Sequence, residues 1–558
     1  MSRAAAPFGR LVCSGRALPL LLLGLALLAW FGTLGWRDLI TPDEGRYSEL
    51  SRAMLASGDW ISPRLNGFLY FEKPPLQYWA TAIAFALFGL NDFAARLWPA
   101  LAAALAVLAL WWTARRVIGE KAALYAACVL GSSAWWIGNS HFVNLDASLS
   151  AALGVALVAV WYGLREAATP GETRAAMLAA WLAMALAMLS KGLVGIVLPG
   201  MVLVVYTLWS RDLLVWRRLQ WGSGPLLFLA VAAPWFILVS LRHAEFAHFF
   251  FIEQHFTRYL THTHRPGPWW YFLPLLLIGL VPWTTLLPGA LRLGLRRETG
   301  RFQGNRLLLT WAVVIFVFFS ISGSKLPSYI LPIFPALALL VGQHALRLSA
   351  RRLSVHALLM AGLSLAGAVA LVALTQGTRG DGQAWAGGEL AYRNWIAAGL
   401  VAIALFCITA AIAARRARPA AAIVAMAFGG LIGTQLIMLG HQTVARDKTA
   451  RELAAAFQAA LPADAPVFTV STHDQSLPYY LRRPVTMVNY VDEFATGQRI
   501  EPGRNLPTEE AFAGLWRSLP AAGAYMRLET FQRWQAAGLP MRVIYRDPSR
   551  VGVIRPPS

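Results

Sequence analysis

Three observations predict a polytopic α-helical membrane protein of about thirteen transmembrane helices, followed by a soluble α/β domain. Hydrophobic residues fill 57% of the 558 positions against 14% charged, a balance that a soluble globular chain could not keep in solution. Apolar runs of spanning length recur from Ala17 to about residue 440, separated by short arginine-rich segments. Beyond residue 440 the composition turns ordinary and soluble.

The first run, Ala17–Trp36, is long enough to span and is preceded by Arg3, Arg10 and Arg16. No clear small-residue cleavage site follows, so a retained helix starting in the cytoplasm is expected in place of a cleaved signal peptide. Further runs lie at roughly 94–114, 122–139, 147–164, 175–190, 194–210, 223–241, 269–291, 307–323, 328–346, 354–375, 394–414 and 420–440. Leu76–Leu90 is too short and too soon interrupted by Asn91 and Asp92, which predicts a re-entrant or juxtamembrane helix.

That assignment sets the topology. If Leu76–Leu90 does not cross, the basic loops from Arg115/Arg116/Lys121 to Arg415/Arg416/Arg418 all face the cytoplasm; if it does, all land outside. The first arrangement puts the loops 37–93 and 242–268, and the tail 441–558, on the extracytoplasmic face, with 1–440 as the membrane part. The net charge of +21 is then topology, not a nucleic-acid surface. Cys13, Cys128 and Cys407 have neither pairing nor metal-ligand spacing. In the tail, APVFTV, PVTMVNY, GAYMRL, MRVIYR and VGVI alternate with helical stretches, the pattern of a small α/β domain. STHDQS at 471–476 reads as a strand-to-helix turn with a capping role, not as a nucleophilic triad.

The extracytoplasmic face collects the unusual charges. The first loop carries Asp43, Glu44, Arg46, Tyr47, Tyr70, Glu72 and Lys73; later turns bring Asp146, Lys191, Lys325 and Tyr329; and a histidine-rich loop holds His255 and Arg258. Lys73, Lys191 and Lys325 are three of only five lysines, placed where the positive-inside rule disfavours them. Each element also has a plain structural reading. PDEGRYSELSRAML is a sound helix start with acidic first-turn residues, the histidines suit an interface, and a lysine can cap a helix C-terminus. Convergence of both signs of charge on one mouth shifts the balance toward function.

Cations and phenols at headgroup level suit a lipid phosphate, and carboxylates beside them suit a hydroxyl, an ammonium or a metal. Glycosyl transfer from a polyprenyl phosphate needs both: cations for the departing phosphate, here Lys73, Arg258, Lys191 and Lys325, and stabilisation of an oxocarbenium-like anomeric carbon. A transporter would also need polar groups at mid-membrane, where this sequence is almost all Ala, Leu, Val and Phe. Glu72 with His255 could share a divalent ion, zinc or magnesium, although no closed-site spacing accompanies them. No other cofactor is expected.

The stretch TPDEGRYSELSRAMLASGDWISPRLNGFLYFEKPPLQYW, residues 41–79, resembles the first-loop signature of the bacterial lipid A 4-amino-4-deoxy-L-arabinose transferases. These are GT-C glycosyltransferases related to the protein O-mannosyltransferases. LDAS, LSKG and SGSKLPSYILP are similar to the same family. The resemblance implies undecaprenyl-phosphate-linked aminoarabinose as donor, a lipid A phosphate as acceptor, the periplasmic face of the inner membrane, and inversion without a covalent intermediate. It implies Asp43 as leading catalytic carboxylate, with Glu44 and Asp146 beside it, and Lys73 and Arg258 as donor-phosphate ligands. Lys191, Lys325, Tyr329, Tyr70, Arg46 and Tyr47 follow as further residues of the donor-phosphate cavity. A monomer in the bilayer, without nucleic acid, is expected.

Overall fold

A backbone in hydrocarbon must satisfy its own hydrogen bonds, and helices do so segment by segment. The computed structural model describes residues 17–257, 267–377 and 385–556. Among these, nine helices, from Asp92–Ala114 to Pro419–Lys448, are long and apolar enough to cross a membrane, and Phe272–Gly279 with Thr284–Leu295 makes a tenth if the pair, bent by 111°, is one span. The other expected spans are short or broken: Ala17–Phe31, Val194–Ser210, and the pair Glu120–Ser132 and Ala134–Ser140. The break in that pair falls at Ser133, which takes an extended conformation, and the freed N–H of Ala134 donates to the carbonyl of Val281 at 3.1 Å. Leu76–Phe88 has 13 residues, about 20 Å of helix against a hydrocarbon core of about 30 Å.

Leu145–Leu164 and Pro327–Leu346 run through the middle of the bundle with nearly all residues buried, whereas Ser223–Arg242 and Ala350–Leu374 leave most of theirs facing outward. Small residues permit the closest helix approach. A Cβ on Gly399 would stand 2.5 Å from the carbonyl oxygen of Gly433, so the hairpin of Gly387–Arg415 and Pro419–Gly440 closes only without side chains there.

In the first loop, the helix Asp43–Ser57 leads into a small hairpin of β1 (Arg64–Leu65) and β2 (Phe68–Leu69). The tail forms a five-stranded sheet of β3 (Val467–Val470), β4 (Thr486–Val488), β5 (Gly523–Arg527), β6 (Arg542–Arg546) and β7 (Arg550–Ile554), in the order β4-β3-β5-β7-β6. β3 pairs parallel to β4 and β5, while β7 runs antiparallel to β5 and β6. Phe468, Val488, Phe512, Trp516, Met526 and Val551 fill its core. STHDQS carries the chain from β3 into the helix Ser476–Leu481, with Asp474 Oδ1 accepting from Ser476 N–H at 2.8 Å.

The tail rests on the first loop. Asn66 exchanges two hydrogen bonds with the backbone of Val485, at 2.9 and 2.7 Å, and Arg64 pairs with Glu501 at 2.9 Å. Arg451 bridges Asp38, at 2.6 Å, and Asp92. The loop is therefore held between the bundle and a folded domain.

Candidate active site

Helical periodicity decides which first-loop residues reach the cavity. Successive residues turn by about 100°, so Asp43, Arg46 and Tyr47 share one face of Asp43–Ser57 while Glu44 points elsewhere. The first three line a cavity of about 190 Å³, together with Glu72 and Lys73 from the segment ahead of Leu76–Phe88. Asn144 and Asp146 enter at the start of Leu145–Leu164, Lys191 at the end of Pro170–Lys191, and Tyr329 from the turn after Gly304–Ile321. Leu149, Val194, Phe318 and Phe319 make the apolar remainder of the wall.

The charges are arranged in pairs. Asp43 Oδ1 accepts from Arg46 at 3.0 Å and keeps a half-exposed carboxylate. The Nε of Arg46 lies 2.5 Å from Glu493 Oε2 of the tail, an ion pair set off the line of a hydrogen bond. Asp146 is engaged at both oxygens: Lys191 pairs with Oδ1, and Ser328 donates to Oδ2 at 2.7 Å. The Lys191 ammonium also stands 4.4 Å from the centre of the Tyr329 ring, a cation–π contact that fixes it further. Asn144 accepts from Ala147 N–H at 2.9 Å and so starts the helix that presents Asp146.

Three expectations are corrected. Glu44 is not a cavity residue: it is 2% exposed, accepts from Arg96 Nε and a second Arg96 nitrogen at 2.6 and 2.8 Å, and from Val143 N–H at 3.1 Å. Burial pushes its carboxyl pKa up, but the Arg96 guanidinium overcomes this and holds it below the usual range. Tyr70 is buried behind the wall and donates to Glu72 Oε2 at 3.2 Å, orienting that carboxylate. Lys325 turns away and donates to the Ser322 carbonyl at 2.6 Å, although Ser324 and Leu326 on either side line the cavity.

Burial raises the phenol pKa of Tyr47, reinforced by Asp43, and of Tyr70, reinforced by Glu72, so both stay protonated. Arg258 and the side chain of His255 lie outside the described residues, although Gln254 just before them reaches the wall. Among the described residues no three His, Cys, Asp or Glu side chains gather as a metal site.

Ser328 and Glu493 were not foreseen. Ser328 stands in SGSKLPSYI without any local signal distinguishing it from a turn residue, and Glu493 is an acidic residue of a soluble domain far along the chain. Two of the larger crevices, about 1010 Å³ at Asp92, Arg451 and Arg482 and about 480 Å³ at Arg165, Glu298 and Arg347, also bring charged side chains together. Their carboxylates are already engaged, Asp92 by Arg451 and Glu298 by Asn305.

Residues 453–555 match the family described as aminoarabinose transferase C-terminal domain, and residues 72–238 match dolichyl-phosphate-mannose-protein mannosyltransferase. The crystal structure of ArnT from Cupriavidus metallidurans bound to undecaprenyl phosphate is similar with a TM-score of 0.92 and 37% identity, over 98% of this chain and 100% of that one. An undecaprenyl phosphate-alpha-4-amino-4-deoxy-L-arabinose arabinosyl transferase from Pseudomonas aeruginosa is 39% identical over 55% of each chain. One from Edwardsiella ictaluri is 35% identical over 64% of this chain and 65% of its own. The chain thus spans 55% to 65% of the length of these two curated relatives.

Proposed function

This chain belongs to the aminoarabinose transferase family, and from that premise we propose that it transfers 4-amino-4-deoxy-L-arabinose from undecaprenyl phosphate to a phosphate of lipid A. The observation that carries the reading is the meeting of Asp43, Lys73, Asp146 and Lys191 in one small cavity at the end of a membrane bundle. At about 190 Å³ the cavity is smaller than the ~300–1,000 Å³ that encloses a drug-sized ligand. It takes a headgroup and leaves a polyprenyl tail outside, along the bundle. The arginine-rich loops at the opposite ends of the spans favour the periplasmic face of a bacterial inner membrane for this mouth and for the C-terminal domain.

Lys73 and Arg258 bind the donor phosphate, and Arg46 and Tyr47 adjoin it. Their charge and hydrogen bonds counter the negative charge that grows on the phosphate oxygen as its bond to the anomeric carbon breaks. A phosphate oxygen of the acceptor forms the new bond from the opposite face, so the configuration inverts and undecaprenyl phosphate leaves. That acceptor is already an anion near neutral pH and offers an ionised oxygen, so a general base is not required. Asp43 acts by charge, facing the positive anomeric centre or the sugar ammonium, while the Asp146–Lys191 pair shapes the adjacent wall.

A divalent ion such as zinc or magnesium, held by Glu72, which Tyr70 orients, and by His255, would add positive charge near the donor phosphate. The product carries an ammonium against a lipid A phosphate, which lowers the attraction for cationic peptides such as polymyxin.

The test is lipid A mass spectrometry in Gram-negative cells that make the donor but lack their own transferase. One aminoarabinose should be gained with this chain and not with Asp43→Asn at equal membrane abundance. No gain with the intact, inserted protein would move the search to another sugar or acceptor.

A further inference from the structure

Asp43 sits between three contacts made by the C-terminal domain. Two residues before it, the Thr41 hydroxyl donates to the side-chain carbonyl of Gln475. Two residues after it, Gly45 lies so close to the tail that a Cβ there would stand 2.5 Å from Ser476 N. One helical turn on, Arg46 meets Glu493, and Gln475 Nε2 donates to the other oxygen of Glu493 at 2.8 Å. Among the described residues, Arg46 is the hydrogen-bond partner of Asp43. The position of the guanidinium therefore governs where the Asp43 carboxylate points.

A carboxylate as enclosed as Glu493, whose side chain is 6% exposed, is costly to bury unless it is paired and hydrogen-bonded. Its partners here, Arg46 and Gln475, both lead back to the Asp43 segment. Without the second carboxylate, Arg46 has Asp43 as its one remaining anionic partner among those it touches and can close on it with both forks, withdrawing it from a sugar.

We propose that Glu493 is a positioning residue of the cavity, holding Arg46 so that Asp43 stays turned toward the donor sugar. The C-terminal domain is on this account a structural part of the active site and not an appended module. The activity readout rests on the function proposed above; the geometry does not.

The experiment compares the full chain in lipid nanodiscs as wild type, Glu493→Gln and Glu493→Asp. It measures kcat, donor KM, thermal midpoint and hydrogen exchange of the amides of residues 41–48. For Glu493→Gln we expect kcat to fall roughly 100-fold, the cost of a misplacement of about 1 Å, with donor KM within about threefold and the midpoint nearly unchanged. Exchange should speed up at 41–48 and not elsewhere, and Glu493→Asp should recover most of kcat. Unchanged kcat in Glu493→Gln, or a loss that tracks a lowered midpoint equally in both variants, overturns the proposal. If the wild type transfers no aminoarabinose, the proposed function fails instead. Exchange then decides alone: local acceleration at 41–48 upholds the clamp, and unchanged exchange removes it.

Discussion

Glu44→Ala should weaken the fold without disarming the chemistry, even though Glu44 is the immediate neighbour of Asp43. In the folded chain its carboxylate and the Arg96 guanidinium are 2% and 0% exposed and joined by two hydrogen bonds, at 2.6 and 2.8 Å. Removing the acid leaves Arg96 buried and uncompensated, a loss of about 3–5 kcal/mol. Over a chain of 558 residues that corresponds to a drop of about 3–4 °C in the thermal midpoint, read by tryptophan fluorescence in detergent. The pH dependence has a defined sign. Because the folded pKa of Glu44 is depressed, its contribution is present above the unfolded value and is lost only as pH falls through the lowered one, so it is complete at neutral pH. Replacing both partners with apolar residues, Glu44→Leu with Arg96→Met, should recover most of the midpoint, since the packing survives and no charge is stranded. A Glu44→Ala protein with an unchanged midpoint and activity lost by 100-fold or so would refute this reasoning and return Glu44 to the chemistry.

Asp146→Asn and Lys191→Met should each lower the thermal midpoint more than half as much as the double variant does, because each single change strands a charge in a confined wall; strictly additive losses would count against the pair. His473 is buried and its pKa is pushed down to about 3, so the folded chain excludes a proton that the unfolded chain binds below pH 6.5. Its share of stability should fall by about 2 kcal/mol between pH 7 and pH 5, and His473→Gln should flatten the acid side of the midpoint-against-pH curve. If Glu72 and His255 hold a divalent ion, a chelator should cut transfer and added zinc or magnesium restore it, with His255→Ala insensitive to both. Full activity after chelation, together with wild-type activity of His255→Ala, would dismiss the ion.

How much of the site was legible depended on whether its signal was local. Lys73 and Lys191 stood out because a lysine at a helix end opposite the arginine-rich loops works against membrane bias, and both line the cavity. Lys325 carried the same signal and turns away to the Ser322 carbonyl, since a turn residue's direction is set by backbone geometry that composition does not encode. Asp43 and Glu44 are neighbouring acids that residue type alone does not separate, and only the family resemblance ranked Asp43 first. A rotation of about 100° between them sends one to the cavity and the other to Arg96, which lies 52 residues further along the chain.

By itself the sequence determined the class of molecule, a short helix within Leu76–Leu90, the α/β tail and the segment that carries Asp43, Glu72 and Lys73, because hydrophobic length, strand alternation and charge bias are properties of contiguous residues. Only the tertiary structure decided that Ser328 holds Asp146, 182 residues away, and that Glu493 of the tail meets Arg46 of the first loop. Such partners are selected by packing distance in the closed fold. Nothing in the spacing of a polar residue along the chain records which buried charge it will meet once the bundle and the tail have closed around the first loop.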